Sequence, residues 1–223
     1  MSYPDHPDTI IIKNEFYPDG LREIDIWNYY QKVKGPLLQQ VINRDLMFFI
    51  MVNVNKDIVL RKGKTTRFLR LNNQNYDTLI TGRTVSIHST MKRHENFGIV
   101  DIDTDDFDEA KLAAFKVYNH MTKSYNTSIR FTGKSSFHVV CEFNREKDID
   151  NIRNEFEQKM RDSNLSQYTI GYRRTGRVPN LDLSSNKLRG GFITLHSLST
   201  IGLRCMEIDS TKIIRFRKEL AKI

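Results

Sequence analysis

The sequence predicts an α+β fold of mixed, mostly antiparallel sheets flanked by helices, and three observations carry that reading. Short runs of aliphatic, β-branched and aromatic residues outnumber the helical patterns. The two kinds do not alternate regularly, as a parallel βαβ sheet requires. No internal repeat or long linker interrupts the chain. With 223 residues, 39% of them hydrophobic, the chain is long enough to bury a sizeable core. It is read as a single domain over residues 1–223, with 1–15 as a peripheral extension, because the opening stretch to about residue 20 is polar and contains Pro4, Pro7 and Pro18.

The elements follow in order. LREIDIWNYYQKVKGPLLQQVIN places Ile26, Trp27, Tyr30, Val33, Leu37, Leu38 and Val41 at helical spacing, and Gly35 and Pro36 predict a break between two helical pieces. DLMFFIMVNV, DIVLRKG, TTRFLRLNN and TVSIHST read as strands, as does FGIVDID. DEAKLAAFKVYNHMTKSY (108–125) is a helix with acidic residues in its first turn, where the helix dipole favours them. TSIRFTG and SSFHVVCEF pair as strands around Gly133 and Lys134, and a helix covers 149–161. YTIGYRR, NLDLSS, GFITLHS and LRCMEI are further strands, and TKIIRFRKELAKI closes the chain as a helix.

No run approaches the roughly 18 apolar residues of a membrane span, and MSYPDHPDTI lacks the regions of a signal peptide. The expected setting is therefore intracellular, in the cytoplasm or nucleoid, with no membrane partner. Cys141 and Cys205 are the two cysteines, too few for a disulfide framework or a thiolate zinc site, and both read as reduced core residues. The formal net charge is +8. GYRRTGR (171–177) and KIIRFRK (212–218) concentrate that charge, and basic surfaces of this kind favour phosphate backbones.

Against that background FGIVDIDTDDFDE (97–109) stands out: six acidic residues crowd the nine positions 101–109, directly after a stretch that reads as buried. In a strand, Val100 and Ile102 face one way and Asp101 and Asp103 the other. Two neighbouring carboxylates repel, and a divalent cation relieves the repulsion. The calcium loop that begins with the same spacing needs Gly at position six and Glu at position twelve, where this chain has Asp106 and Leu112. Asp105, Asp106, Asp108 and Glu109 read instead as a solvated loop and helix start, leaving Asp101 and Asp103 as metal ligands. Phosphoryl transfer by two cations calls for a third carboxylate, and Asp182, between Leu181 and Leu183, is the candidate. TGKSSFHVV (132–140) supplies complementary chemistry. Gly133 permits close backbone approach, Lys134 offers a cation, Ser135 and Ser136 offer hydroxyls, and His138 is a donor to phosphate oxygens on the same strand face as Ser136. His138 and Cys141 face opposite ways in a strand, so they do not form a zinc pair. His88 in VSIHST says little alone.

DIDTD, then TGKSSFHVV, then LDLSS resembles the three motifs of the archaeo-eukaryotic primase superfamily: an acidic metal pair, a Ser-x-His nucleotide motif and a further metal-binding aspartate. Within it, the chain is most similar to the polymerase domain of the bacterial end-joining ligase D. FYPDGLREIDIWNYY (16–30) matches an early segment of that family, Ile87-His88 an apolar-His pair, Gly176-Arg177-Val178 a GRV triplet with a one-residue longer gap, and Asn186 the Asn four residues after the third aspartate. The resemblance spans about residues 16–209. It implies a primase-polymerase catalytic core whose Asp101, Asp103 and Asp182 hold two Mg²⁺ or Mn²⁺ ions, with no zinc, and whose His88, Lys134, Ser136, His138 and Arg177 contact the incoming triphosphate. GFITLHSLSTIGL aligns either to the ligase-type ending through Ser197-Leu198 or to the Ser-Leu-His segment of replicative primases through Leu195-His196; His196 is a phosphate contact only under the second alignment.

The resemblance implies a template-directed DNA polymerase of the primase type, adding nucleotides to a 3′-hydroxyl, with DNA template and primer and nucleoside triphosphates as partners. The ligase-type match favours gap filling in repair, with a separate ligase or other end-joining or replication proteins as partners. The Leu-His match favours a stand-alone replicative or mobile-element primase. Two rivals come from other classes: a metal-dependent nuclease completed by Glu142 or Glu146, and a non-catalytic nucleic-acid-binding module.

Overall fold

LMFFIMVNV and TVSIHST resolve into neighbouring antiparallel strands, the second buried at every position but His88, in a computed structural model that describes residues 4–54, 57–62, 69–161, 165, 167–170 and 178–223. The expected strand TTRFLRLNN lies partly, and GYRRTGR with Arg177 wholly, outside the described residues. The chain's contacts divide it into two compact units. One comprises residues 1–90, 193–205 and 218–223, the other 91–192 and 206–217.

The first unit begins with a hairpin, β1 (Ile10–Asn14) and β2 (Tyr17–Arg22), whose Ile11, Ile12, Tyr17 and Leu21 are buried. A surface run was expected at this point; the prolines outweighed the apolar triplet Ile10-Ile11-Ile12 in the sequence reading. Two helices follow, α1 (Glu23–Lys32) and α2 (Lys34–Val41). The break falls at Val33, and Gly35 and Pro36 sit in the first turn of α2, where a missing N–H removes no intrahelical bond. Next come β3 (Leu46–Val54), β4 (Asp57–Lys62), the single turn α3 (Tyr76–Leu79) and β5 (Thr84–Thr90), with β3 between β4 and β5. Tyr76, Tyr30, Ile26, Leu37 and Ile87 are fully buried, and the Tyr76 hydroxyl donates to Tyr30 O at 2.6 Å. The returning segment 193–205 is tied in by polar groups: Ile87 N donates to Ser197 Oγ at 2.7 Å, and the Ser89 and Thr194 hydroxyls meet at 2.9 Å.

The second unit is built on β6 (His94–Asp103), α4 (Phe107–Met121), β7 (Asn126–Phe131), β8 (Phe137–Asp148), α5 (Ile149–Arg161), β9 (Thr169–Ile170) and β10 (Asn180–Asp182). The chain leaves it along β11 (Gly191–Ile193) and returns at β12 (Met206–Ile208). The sheet order is β12-β7-β8-β6-β10-β9, antiparallel except for β9 and β10. Both helices cover one face. Phe107 of α4 stacks on Phe137 at 5.6 Å between centroids, and a Cβ on Gly98 would meet Ile152 and Phe156 of α5 at 2.6 and 2.7 Å. Asp106 caps α4 by accepting from Asp108 N and Glu109 N. The expected closing helix is instead two 3₁₀ turns, Ser210–Arg215 and Lys218–Ala221, separated by an extended Phe216. Phe216 packs on Phe131 with centroids 5.1 Å apart, and that anchoring takes the backbone out of helical register.

Candidate active site

In an antiparallel ladder, residues directly opposite one another project to the same face. Val100 pairs with Val139 and Ile102 with Phe137, so these apolar side chains lie on the face covered by α4 and α5. Asp101 therefore projects from the other face, opposite His138 on one side and opposite Asp182 on the other. Extending the register, His138 is opposite Arg130, and Arg130 is opposite Glu207. One straight row thus crosses five strands in the order Asp182, Asp101, His138, Arg130, Glu207. Asp103 lies two residues along β6 on the same face, opposite Asn180.

The environments of the three carboxylates differ. Asp182 is 8% exposed, and Ser184 fixes its orientation: Ser184 N donates to Oδ1 at 2.6 Å and Ser184 Oγ to Oδ2 at 3.0 Å, a local Asx turn at the strand end. Asp103 Oδ1 accepts from Ser136 Oγ at 3.0 Å, which links the nucleotide-motif loop to the acidic strand. Asp101 Oδ1 is buried without a hydrogen-bond partner, 3.6 Å from His138 Nε2 and so beyond a normal hydrogen bond. A buried carboxylate oxygen left in that state is costly unless a cation satisfies it. Among the described residues no three His, Cys, Asp or Glu side chains are gathered into a ready-made metal site. The donor set nevertheless fits a hard divalent ion, which takes carboxylate oxygens: three carboxylates share one face, and one of them carries an orphaned oxygen.

Asn186 holds this edge of β6 in place. It is 0% exposed; its Oδ1 accepts from Ile99 N at 2.9 Å and its Nδ2 donates to Ile99 O at 2.6 Å. One side chain thereby substitutes for the strand residue that would pair with Ile99 if β10 continued. The loop is also held by Met91 N to Gly190 O and Arg189 N to Met91 O.

The remaining expected site residues lie as follows. Ser136 and His138 belong to the same unit as the aspartates, His138 at 3% exposure, and Lys134 is exposed in the turn beside Gly133, whose φ is +91°. His88 and His196 belong to the other unit. His88 Nε2 is 2.9 Å from Ser86 Oγ, with its ring 4.9 Å from Phe49. His196 adopts φ +68°, and its carbonyl accepts from the Tyr29 hydroxyl at 2.9 Å. Arg177 is outside the described residues. Glu142 is opposite Phe97, four residues along β8 from His138 and hence about 13 Å away. Its carboxylate accepts from Asn126 Nδ2 at 2.7 Å, and Glu146 is farther along the strand, so neither completes the acidic set. Sequence reasoning missed Arg130 and Ser184. The alternation Ser128, Arg130, Thr132 in TSIRFTG was the available signal for the first, and the Asp-x-Ser turn motif for the second.

No family model matches the sequence, and no curated protein matches it. Among solved structures, the chain is similar to the polymerase domain from Mycobacterium tuberculosis ligase D in complex with DNA, with a TM-score of 0.71 and 11% sequence identity over 97% of this chain and 90% of that one. The chain has the primase-polymerase fold. At that identity the likeness is one of fold. The α+β class expected from the strand count, with mostly antiparallel sheets, agrees with it. Among the described residues, no helix of this primase-polymerase fold is long and apolar enough to cross a membrane.

Proposed function

We propose that this protein is a template-directed nucleotidyltransferase, a DNA primase-polymerase that adds nucleotides to a 3′-hydroxyl and fills gaps in DNA repair. One observation carries the reading: on a primase-polymerase fold, Asp101, Asp103 and Asp182 share a sheet face with Ser136 and His138, and Asp101 Oδ1 is buried without a hydrogen-bond partner. Asp101, Asp103 and Asp182 are the residues that would hold two divalent cations, Mg²⁺ or Mn²⁺, which when bound lower the pKa of an attacking hydroxyl and offset charge on the phosphates. The 3′-oxygen forms a bond to the α-phosphorus, the bond from that phosphorus to the β-phosphate oxygen breaks, pyrophosphate leaves, and the hydroxyl proton passes to solvent.

The protein's own groups position these atoms. Ser184 holds Asp182 and Ser136 holds Asp103, so the carboxylates are oriented before substrate arrives. Lys134, Ser136 and His138 neutralise and orient the triphosphate, and His88, Arg177 and His196 are nucleotide contacts in the same reading. The net charge of +8 suits a DNA backbone as partner, and the solved neighbour is itself a DNA complex. The end-joining role, with a separate ligase sealing the product, rests on the resemblance to ligase D.

The test is extension of a labelled primer on a gapped template with Mn²⁺ and separate dNTP and NTP pools, comparing the protein with Asp101→Ala/Asp103→Ala. Extension lost in the variant supports the polymerase reading, and synthesis on an unprimed strand would move the role to priming. Loss of template without added nucleotides points to a nuclease. DNA binding indifferent to chelators, with no extension, leaves a binding module.

A further inference from the structure

The row of side chains crossing the sheet does not stop at the nucleotide motif, and its next member has a use that the carboxylates and His138 leave unfilled. Arg130 of β7 is directly opposite His138 of β8, on the face that carries Asp101 and Asp182. Its Nε is buried without a hydrogen-bond partner, and among the described residues it forms no ion pair, although Glu207 is opposite it on β12. Glu207 is exposed. A guanidinium N–H withdrawn from water and left without an acceptor is costly, and the acceptor that best fits it is an oxyanion that takes Nε and a terminal nitrogen together.

Resting on the nucleotidyltransferase reading, we propose that Arg130 binds the distal phosphates of the incoming nucleoside triphosphate, the part that leaves as pyrophosphate, and thereby makes the site selective for triphosphates. Strands are about 4.8 Å apart, so two strand spacings separate Asp101 from Arg130, with His138 between them. An arginine side chain is long enough to reach across much of that gap. Asp182 and Asp101 at one end, His138 beside them and Arg130 next form a strip that runs from acidic to basic over four strands, before the row ends at the exposed Glu207. A triphosphate with its cations at the acidic end and its free oxygens at the basic end matches that polarity. A nucleoside monophosphate leaves Arg130 unused.

The test measures equilibrium binding, with Mn²⁺ present, of a non-hydrolysable nucleoside triphosphate, inorganic pyrophosphate and a nucleoside monophosphate to the full chain and to Arg130→Gln and Arg130→Lys. Losing a charge-assisted bidentate contact is expected to weaken triphosphate and pyrophosphate about ten- to a hundredfold in Arg130→Gln, with monophosphate affinity changed less than about twofold. Arg130→Lys, which keeps the charge and loses the fork, is expected to fall between. Equal losses for all three ligands, as a merely structural arginine would give, or no loss at all, overturn the inference while leaving the site reading intact. If the unaltered protein binds none of the three ligands, the site reading falls and this inference with it. Should Arg130→Gln fail to fold, Arg130→Lys decides by the same comparison: selective weakening of triphosphate supports the role, and unchanged selectivity overturns it.

Discussion

Replacing Asn186 by Ala isolates the contact that keeps the acidic strand in register. The side chain is fully buried and makes two hydrogen bonds, to Ile99 N at 2.9 Å and to Ile99 O at 2.6 Å. Alanine leaves both backbone groups without those partners at a buried position, and each orphaned group costs about 1–3 kcal/mol, so the expected loss is about 2–6 kcal/mol. That is a large share of the roughly 5–15 kcal/mol that holds a typical domain folded. Urea unfolding followed by far-ultraviolet circular dichroism reads the loss as a lower midpoint at unchanged slope. Asn186→Asp keeps an acceptor for Ile99 N but sets a carboxylate oxygen against Ile99 O, so it is expected to be no better than alanine. Because Ile99 is two residues before Asp101, Mn²⁺ affinity should fall in both variants. A stability change under about 0.5 kcal/mol, the ordinary range for an uninvolved surface site, would refute the argument that Asn186 substitutes for a strand.

Three further outcomes are expected. Gly98→Val places a side chain where even a Cβ meets Ile152 and Phe156 at 2.6 and 2.7 Å, and overpacking of this kind lowers stability by about 1–3 kcal/mol, measurable in the same unfolding experiment. Burial pushes the Cys141 thiol up to about 12, against a smaller downward pull from Thr127, and Cys205 is also fully buried. Neither should react with a disulfide reagent in the native protein, and both should react in denaturant; labelling of Cys141 before unfolding would contradict the packing. For Glu155, burial is the largest influence and raises its pKa, but the hydrogen bonds from Lys147 at 2.6 Å and from the Tyr125 hydroxyl together outweigh it, leaving the carboxyl below its ordinary value of 4.5. A depressed carboxyl stabilises the fold above that ordinary value and loses the contribution as pH falls through the lower folded value. Glu155→Gln should therefore flatten the acid limb of the urea midpoint against pH, and an unchanged limb would count against the pairing.

Much of the architecture was legible locally. Alternation in TVSIHST places β5, and the helical spacing of Ile149, Ile152, Phe156 and Met160 places α5 at its observed bounds. The acidic residues between aliphatics in FGIVDID and NLDLSS locate Asp101, Asp103 and Asp182 on strands. The register of Asp182 against Asp101 was not legible, because it joins distant segments and no local pattern encodes which residue stands opposite which. Arg130 lies in a local hairpin, and the alternation in TSIRFTG is what marks its face. The closing helix misled because Phe216 answers to a tertiary aromatic cluster rather than to helical spacing, and the hairpin at 10–22 was hidden by its prolines. Helix α3, a single turn, is too short for a periodic signal.

The measurement that tests the central claim most directly is incorporation of a single nucleotide opposite each of the four template bases, with Mn²⁺, by the protein and by Asp182→Asn. The expected result is that the nucleotide complementary to the template base is added to the primer, with pyrophosphate released, and that Asp182→Asn abolishes the addition while DNA binding persists. Addition that ignores the template base, or addition undiminished in Asp182→Asn, would contradict a templated nucleotidyltransferase built on this row of carboxylates.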